Sequence, residues 1–302
     1  MLDLTSLAAL AAEHAGSLFH QVAPLRLAGV VHDLDAQPLI MGVVNLSRDS
    51  TYRDSVAVST ESAIRRARVQ FAQGAGVVDL GAESSTVAAA RIGAQDQATA
   101  LVPVIEALSA DGVATSVEAY SPKVVEQCLN AGAALVNLTG STDLERIYEL
   151  AAAHDAAVVL CFVPGANVRE VAQVELASDP LPGLIDYFGA RIEHARAHGV
   201  TDLIIDPGLG FYYANLTDPM VRARHQAEVL LNSFRLRTLG VPVCQAMPHA
   251  FDIFEEEFRT AEGFFAVIAA LGRVNVYRTH EVARVRATLQ ALDMLGRPNP
   301  AP

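Results

Sequence analysis

Eight short apolar segments alternate with helical segments from about residue 37 to the C-terminal region of the chain. The apolar segments are PLIMGVVNL, GVVDLG, VATSVEAY, ALVNLTG, AAVVLCFV, DLIIDPG, VPVCQAM and VNVYRTH. Nearly continuous apolar runs of this length are typical of parallel strands that are buried on both faces of a sheet. The alternation therefore predicts an α/β protein in which helices cover a parallel sheet.

The segments between the apolar runs have the periodicity of amphipathic helices. They cover Glu61–Gln73, Gln95–Leu108, Pro122–Ala131, Leu144–His154, Leu184–His198, Val221–Leu239, Ala261–Leu271 and Glu281–Leu295. Eight strand–helix units in roughly 260 residues match a (βα)8 TIM barrel, which is the fold that we predict. A doubly wound open sheet is the alternative, but no Gly-x-Gly-x-x-Gly fingerprint follows the first strand.

We predict three parts along the chain. Residues 1–36 form an N-terminal helix and a small β-hairpin, residues 37–295 form the barrel, and residues 296–302 form a flexible tail. The segment LRLAGVVHDL predicts the hairpin, which we expect to cover the bottom of the barrel. The first residues contain Asp3 and Glu13 and lack a basic start, so they predict an amphipathic helix rather than a signal peptide.

Composition excludes several classes of partner. The net charge of −12 argues against a nucleic-acid-binding protein, because phosphate contacts need clustered cations. No apolar run reaches the roughly 20 residues that span a bilayer, so we expect no membrane partner and a cytoplasmic location. The three cysteines are widely separated and lie in apolar surroundings, which predicts buried core residues rather than a disulfide framework.

Polar side chains stand where the predicted strands end. They are Asn45, Asp79, Glu83, Glu118, Asn137, Asp206, Arg278 and His280. Asp206 belongs to the stretch LIIDPGLGFYY, in which a turn would need the glycines and the proline but not the carboxylate. Because the carboxyl ends of barrel strands converge on one pocket, these side chains predict a polar ligand site. Each of them taken alone could equally be a turn or capping residue.

The balance of donors and acceptors indicates the kind of ligand. Glu118 and Asp206, with the amide of Asn137, suit a flat heterocycle that carries several N–H groups. Arg278 and His280 would supply positive charge to an anionic group on the same ligand. The sequence therefore predicts a pocket for a polar heterocycle with an anionic substituent.

Six motifs, in order between about Leu39 and Leu292, resemble the dihydropteroate synthase family of pterin-binding barrels. They are IMGVVNLSRDS, VVDLGAESS, SVEAY, LVNLTG, IDPGLGF and YRTHEV. The resemblance implies a transferase of folate-type biosynthesis. Such an enzyme condenses 6-hydroxymethyl-7,8-dihydropterin pyrophosphate with an aryl amine, p-aminobenzoate.

The resemblance also implies roles for individual residues. Substrate-binding residues are expected at Asn45, Ser85, Glu118, Asn137, Asp206, Phe211 and His249. Catalytic residues are expected at Asp49, Arg278 and His280. Mg²⁺ is expected beside Asn45, close to the pyrophosphate, and a homodimer is expected because the family often pairs through its last helices.

The sequence also departs from the family pattern. The family's Ser-Arg-Lys motif is absent, and the segment CQAMPHAF offers His249 in place of the lysine. Thr86 replaces the expected arginine after the second strand, and the pterin-binding acid is Glu118 rather than an aspartate. Three functions stay open on this basis. They are the synthase reaction, a diverged transfer chemistry such as pterin-dependent methyl transfer or a modified-pterin pathway, and a non-catalytic binding role.

Overall fold

A parallel sheet forms the centre of the molecule. The structure is a computed structural model, and it describes residues 3–47, 57, 59–84, 90–170, 179–211, 213 and 215–296. Within these ranges an antiparallel hairpin precedes eight parallel strands. The strands are β1 (Leu25–Leu27), β2 (Val30–His32), β3 (Leu39–Asn45), β4 (Val77–Gly81), β5 (Thr115–Ala119), β6 (Leu135–Leu138), β7 (Ala157–Cys161), β8 (Leu203–Asp206), β9 (Cys244–Ala246) and β10 (Val276–Thr279).

The parallel strands form a nearly closed barrel. Each strand from β3 to β8 pairs with the next one along the chain, and β10 pairs with both β3 and β9. A parallel bridge between Ile205 and Val243 joins β8 to the segment that leads into β9. The predicted TIM barrel, with its N-terminal helix and small hairpin, is therefore confirmed. The strand ends that carry polar residues all lie at the same rim.

Helices alternate with the strands and cover the outside of the barrel. They are α1 (Leu4–Glu13), α2 (Ala15–Leu18), α3 (Thr60–Ala72), α4 (Ala94–Ala110), α5 (Pro122–Asn130), α6 (Leu144–Ala153), α7 (Leu181–Ala197), α8 (Pro219–Asn232), α9 (Phe251–Phe254), α10 (Arg259–Leu271) and α11 (Val282–Gly296). Among the described residues, none of the helices combines the length and the apolar character that crossing a bilayer requires.

One helix differs from the sequence prediction. The periodicity predicts a single helix over Val221–Leu239, but α8 ends at Asn232 and a 3₁₀ helix covers Ser233–Leu239. The Ser233 hydroxyl donates to the Val229 carbonyl at 2.9 Å at the junction between the two helices. Arg237 lies in this 3₁₀ helix, which is wound more tightly than an α-helix. Its side chain is buried at the bottom of the barrel.

The β-hairpin closes the amino-terminal end of the barrel. Leu25, Leu27 and Leu34 are buried in the same apolar cluster as the interior barrel residues Met41 and Ile204. The backbone N–H of Arg26 donates to the carboxylate of Asp202, just before β8, at 2.6 Å. Burying each of these leucines stabilises the fold by about 1.5–3 kcal/mol, so the interior is sealed at this end.

Arg237 connects the N-terminal segment to the barrel. Its guanidinium donates to the His20 carbonyl at 3.1 and 2.8 Å and to the Asn275 side-chain oxygen at 3.2 Å. It also forms an ion pair with Asp35, which lies just before β3. Because only 1% of Arg237 is exposed, these partners are what stabilises its buried charge.

Replacing Arg237 with methionine should lower the free energy of unfolding by about 3 kcal/mol, because Asp35 and the His20 carbonyl lose their partner. Urea denaturation followed by circular dichroism measures the change. The control is Arg235→Met, whose partner Asp179 is 43% exposed. That control should cost about 1 kcal/mol or less. Equal effects of the two substitutions would contradict the role given to Arg237.

Candidate active site

A cavity of about 400 Å³ opens at the carboxyl ends of the strands. Six of the predicted substrate-binding and catalytic residues line it, namely Asn45, Glu118, Phe211, His249, Arg278 and His280. Two further predicted site residues, Asp49 and Ser85, lie outside the described residues. The barrel thus brings together side chains that are up to 235 positions apart in the chain, as Asn45 and His280 are.

Asn137 and Asp206 lie behind this lining rather than on it. They are only 3% and 4% exposed. The Asn137 amide donates to Asp79 at 2.9 Å, and its oxygen accepts a hydrogen bond from the thiol of Cys161 at 3.2 Å. Two of the predicted ligand-binding groups are therefore one layer below the cavity surface. Hydrogen bonds through Asp79 and Arg278 connect Asn137 to that surface.

Asp79 is the central acceptor of the site. Its carboxylate accepts hydrogen bonds from the Ser116 hydroxyl at 2.6 Å, from Asn137 at 2.9 Å and from Arg278 Nε at 2.8 Å. Ser116 stands directly opposite Asp79 in the pairing of β4 with β5. The sequence placed Asp79 at a strand end, but its contacts with three other strands depend on the closed barrel.

Arg278 joins the two acidic side chains that flank it. Its Nη2 lies 2.5 Å from Glu118 Oε2, and its Nε bonds to Asp79. Burial raises the pKa of the Glu118 carboxyl to about 7, while the charge of Arg278 acts to lower it and that of Asp79 to raise it. Burial likewise raises the pKa of Asp206 to about 6, against the hydrogen bond from the Gly208 N–H.

These acids outnumber the guanidinium that neutralises them. Burial raises the pKa of Glu118 to about 7 and that of Asp206 to about 6, and the nearby charge of Arg278 opposes this rise only in part. N–H donors of a ligand could stabilise the carboxylates by hydrogen bonds, as the guanidinium of Arg278 does in this structure. The site is therefore suited to a ligand that is rich in hydrogen-bond donors.

Asp206 also shapes its own turn. Its carboxylate accepts the Gly208 N–H at 2.7 Å, and Gly208 has a φ of +83°. A Cβ at this glycine would lie 2.7 Å from the Tyr213 hydroxyl and 2.9 Å from the Phe162 carbonyl oxygen. The loop after β8 therefore needs glycine here, both for the backbone conformation and for the close approach of Tyr213.

Glu262 binds two histidines at the edge of the cavity. Its Oε1 lies 3.1 Å from His249 Nδ1 and 3.3 Å from His280 Nδ1. Burial acts to raise the pKa of Glu262, but the hydrogen bonds from the two imidazoles prevail and hold it well below its usual range. Burial lowers the pKa of His280, and Glu262 partly opposes this.

Glu262 is not among the site residues that the sequence predicted. The residue is 1% exposed on α10, within the otherwise apolar run AEGFFAVIAAL. A carboxylate on the buried face of such a helix is the signal that could have identified it, because buried acids need partners. Tyr120 and Arg169 were also missed; they contact Glu83 and the Ser84 carbonyl at the rim of the cavity.

The fold and these contacts define the class of protein: a (βα)8 barrel with a pocket at its strand ends for a polar heterocyclic ligand. A profile of the pterin binding enzyme family matches residues 41–280. The chain belongs to this family of pterin-binding enzymes, as its motifs predicted.

Individual relatives agree with the family assignment. The dihydropteroate synthase of Synechocystis is 25% identical over 286 residues, which cover 91% of this chain and 96% of that protein. The structure of Xanthomonas albilineans dihydropteroate synthase with 4-aminobenzoic acid is 25% identical, with a TM-score of 0.75, over 92% of this chain and 100% of that one. The Thermus thermophilus enzyme in complex with 6HMPPP is 27% identical, with a TM-score of 0.71, over 90% of this chain and 100% of that one.

Replacing Arg278 with methionine should raise the pKa of Glu118 further above about 7, because the guanidinium is the main force that opposes burial. Carbon-13 NMR titration of the glutamate carboxyl groups measures the change. The control is Arg284→Met on the exposed surface of α11, whose partner is Glu281. It should leave the Glu118 pKa unaltered. A Glu118 pKa that stays constant or falls in Arg278→Met would exclude the proposed pairing.

Proposed function

We propose that the chain acts as a dihydropteroate-synthase-like enzyme of folate-type biosynthesis. It condenses 6-hydroxymethyl-7,8-dihydropterin pyrophosphate with an aryl amine, p-aminobenzoate, and releases pyrophosphate. The observation that carries the proposal is the connected set Glu118, Arg278, Asp79 and Asn137, with Asp206 beside it, at the rim of a barrel of this family. The 4-aminobenzoic acid and 6HMPPP bound by two related synthases support the choice of substrates.

The acidic residues and the amide provide the pterin site. Glu118 can accept N–H groups of the pterin if its hydrogen bond with Arg278 is shared or broken. Arg278 would then still have Asp79 as a partner. Asn137 uses one N–H and one lone pair in the structure and has a second of each to offer. Asp206 adds a third acceptor, and Phe211 lines the cavity where the flat ring would lie.

The reaction exchanges one bond for another at the exocyclic methylene carbon of the pterin. The amine nitrogen forms a bond to this carbon, the carbon–oxygen bond to pyrophosphate breaks, and the pyrophosphate takes the bonding electron pair. The amine then loses a proton. Arg278 and His280 line the cavity and would favour departure of the leaving group by balancing its negative charge. Asp49 is proposed as a further catalytic residue from the family motif.

Mg²⁺ fits beside Asn45. A Cβ placed on Gly81 would lie 3.8 Å from Asn45 Oδ1 and 3.9 Å from Glu118 Oε2, so two oxygens face the same small space. Mg²⁺ prefers oxygen ligands and usually keeps waters and substrate phosphates in its coordination shell. Asn45 would therefore hold the ion against the pyrophosphate, where it would neutralise charge on the leaving group.

The last helices offer a surface for a homodimer. Phe264 and Leu271 on α10 are about half exposed, and Met294 and Leu295 on α11 are mostly exposed. Exposed apolar side chains on adjacent helices favour association, so we propose pairing of two copies through α10 and α11.

The cytoplasmic location and the division at residues 36 and 295 remain predictions from the sequence.

Replacing Asp206 with asparagine should weaken pterin binding about tenfold or more, because a charge-assisted acceptor is lost. Calorimetric titration with 6-hydroxymethyl-7,8-dihydropterin pyrophosphate measures the affinity. The matched control is Asp202→Asn, just before the same strand at the opposite end of the barrel, where Asp202 accepts the Arg26 N–H. It should leave the affinity unaltered. Equal affinities of wild type and Asp206→Asn would exclude Asp206 from the pterin site.

The wild-type chain should release pyrophosphate when both substrates are present, and Arg278→Met should do so about a hundredfold more slowly, because a group that stabilises the leaving charge is gone. A coupled pyrophosphate assay, with dihydropteroate detected by chromatography, measures the rate. The surface variant Arg284→Met should keep the wild-type rate. Pterin binding without pyrophosphate release would contradict the condensation while leaving the pterin site in place.

A further inference from the structure

Two imidazoles and one carboxylate converge at the cavity from three different parts of the barrel. His249 comes from the loop after β9, Glu262 from α10 and His280 from the residues that follow β10. The three potential ligand atoms all lie within 4.8 Å of one another. His249 and His280 both line the cavity, whereas Glu262 is buried behind them.

The carboxylate is held in position by contacts on its other oxygen. Glu262 Oε2 accepts hydrogen bonds from the backbone N–H of His280 at 3.0 Å, from the backbone N–H of Glu281 at 3.1 Å and from the hydroxyl of Thr279. These three donors fix the orientation of the group and direct Oε1 toward the two histidine rings. Outer contacts of this kind orient the ligands in protein metal sites.

We propose that His249 Nδ1, Glu262 Oε1 and His280 Nδ1 bind a transition-metal dication such as Zn²⁺. Metal–ligand bonds of about 2.0–2.2 Å at tetrahedral angles place neighbouring ligand atoms about 3.3–3.5 Å apart. The observed separations from Oε1, 3.1 and 3.3 Å, are close to this range, and the ligand atoms of the two histidines lie within 4.8 Å of each other. Two imidazoles and one carboxylate suit Zn²⁺ or Co²⁺ better than Mg²⁺, which prefers oxygen ligands.

The cavity leaves coordination positions open for a ligand. Because three protein atoms hold the ion from one side, a fourth position faces the space that Asn45 also lines. His280 Nε2 lies 3.5 Å from Asn45 Nδ2. In the metal-bound tautomer Nε2 carries the proton and faces the part of the cavity that Asn45 lines.

The ion would supply positive charge at the position where the family's lysine is absent from this chain. A dication with one carboxylate ligand has a net charge of +1, and His249 stands in CQAMPHAF where the family's lysine is expected. The ion would therefore present one positive charge to an anionic group in the cavity, as a lysine would. This role rests on the proposed function, whereas the metal site itself does not.

Titration of the EDTA-treated full chain tests the site. Binding of Zn²⁺ is measured by calorimetry, and binding of Co²⁺ by visible absorption. Both ions should bind to the wild type, and in His249→Ala their affinity should fall at least a hundredfold. Glu262→Gln, checked for folding by circular dichroism, should show the same loss. His249 is the better first variant because its side chain is 25% exposed and its removal disturbs less of the core.

The chain offers a matched control at its surface. Glu145, His194 and His198 also bring three potential ligand atoms together, but Glu145 is exposed and the Nδ1 of His198 already contacts the His194 carbonyl oxygen. His194→Ala should retain the cavity ion. Loss of binding in His194→Ala with retention in His249→Ala would overturn the proposal, as would absence of Zn²⁺ binding at micromolar concentration in the wild type.

Inorganic pyrophosphate tests the role of the ion separately. Zn²⁺ should tighten pyrophosphate binding to the wild type about tenfold or more and should have no such effect on His249→Ala. Zn²⁺ binding without an effect on pyrophosphate would overturn the role but support the site. Zn²⁺ binding by a chain that binds no pterin would support the site and contradict the proposed function, so the two failures are distinguishable.

Discussion

The burial of three acids around one guanidinium is the constraint on which the site depends. Asp79, Glu118 and Asp206 are taken out of water at the rim of the barrel, and a buried carboxylate is costly unless a cation or N–H donors face it. Arg278 from the last strand provides that cation only if the barrel closes. Fold and site are therefore coupled, because the strand pairing that closes the sheet also pairs the charges.

Another buried carboxylate, that of Glu262, interacts with cationic or N–H groups at the edge of the same cavity. Glu262 lies on a helix rather than a strand, and it binds two histidines that the chain brings from separate loops. The cavity thus has acidic groups in and beneath its lining and two imidazoles in the same lining. Such an arrangement suits a ligand with N–H donors at one end and negative charge at the other.

Much of the fold could be predicted from the sequence because apolar runs and helical periodicity reflect burial directly. All eight strands lie within the predicted apolar segments, and most helix ends agree within a few residues. The 3₁₀ helix after Asn232 could not be predicted in this way. Its winding accompanies contacts between Arg237 and residues near the N-terminus, which a local pattern does not contain.

The residue types at the strand ends, and hence the expectation that Glu118, Asp206 and Arg278 share one rim, follow from the sequence without the structure. Which of them contact each other depends on the folded barrel, as do the position of Asp206 behind the cavity lining and the contacts of Glu262 with His249 and His280. The physical reason is the range of the forces. The order of apolar and polar residues, which predicts burial, can be read from neighbouring positions, whereas charge pairing at about 3 Å requires the closed barrel to bring distant residues together.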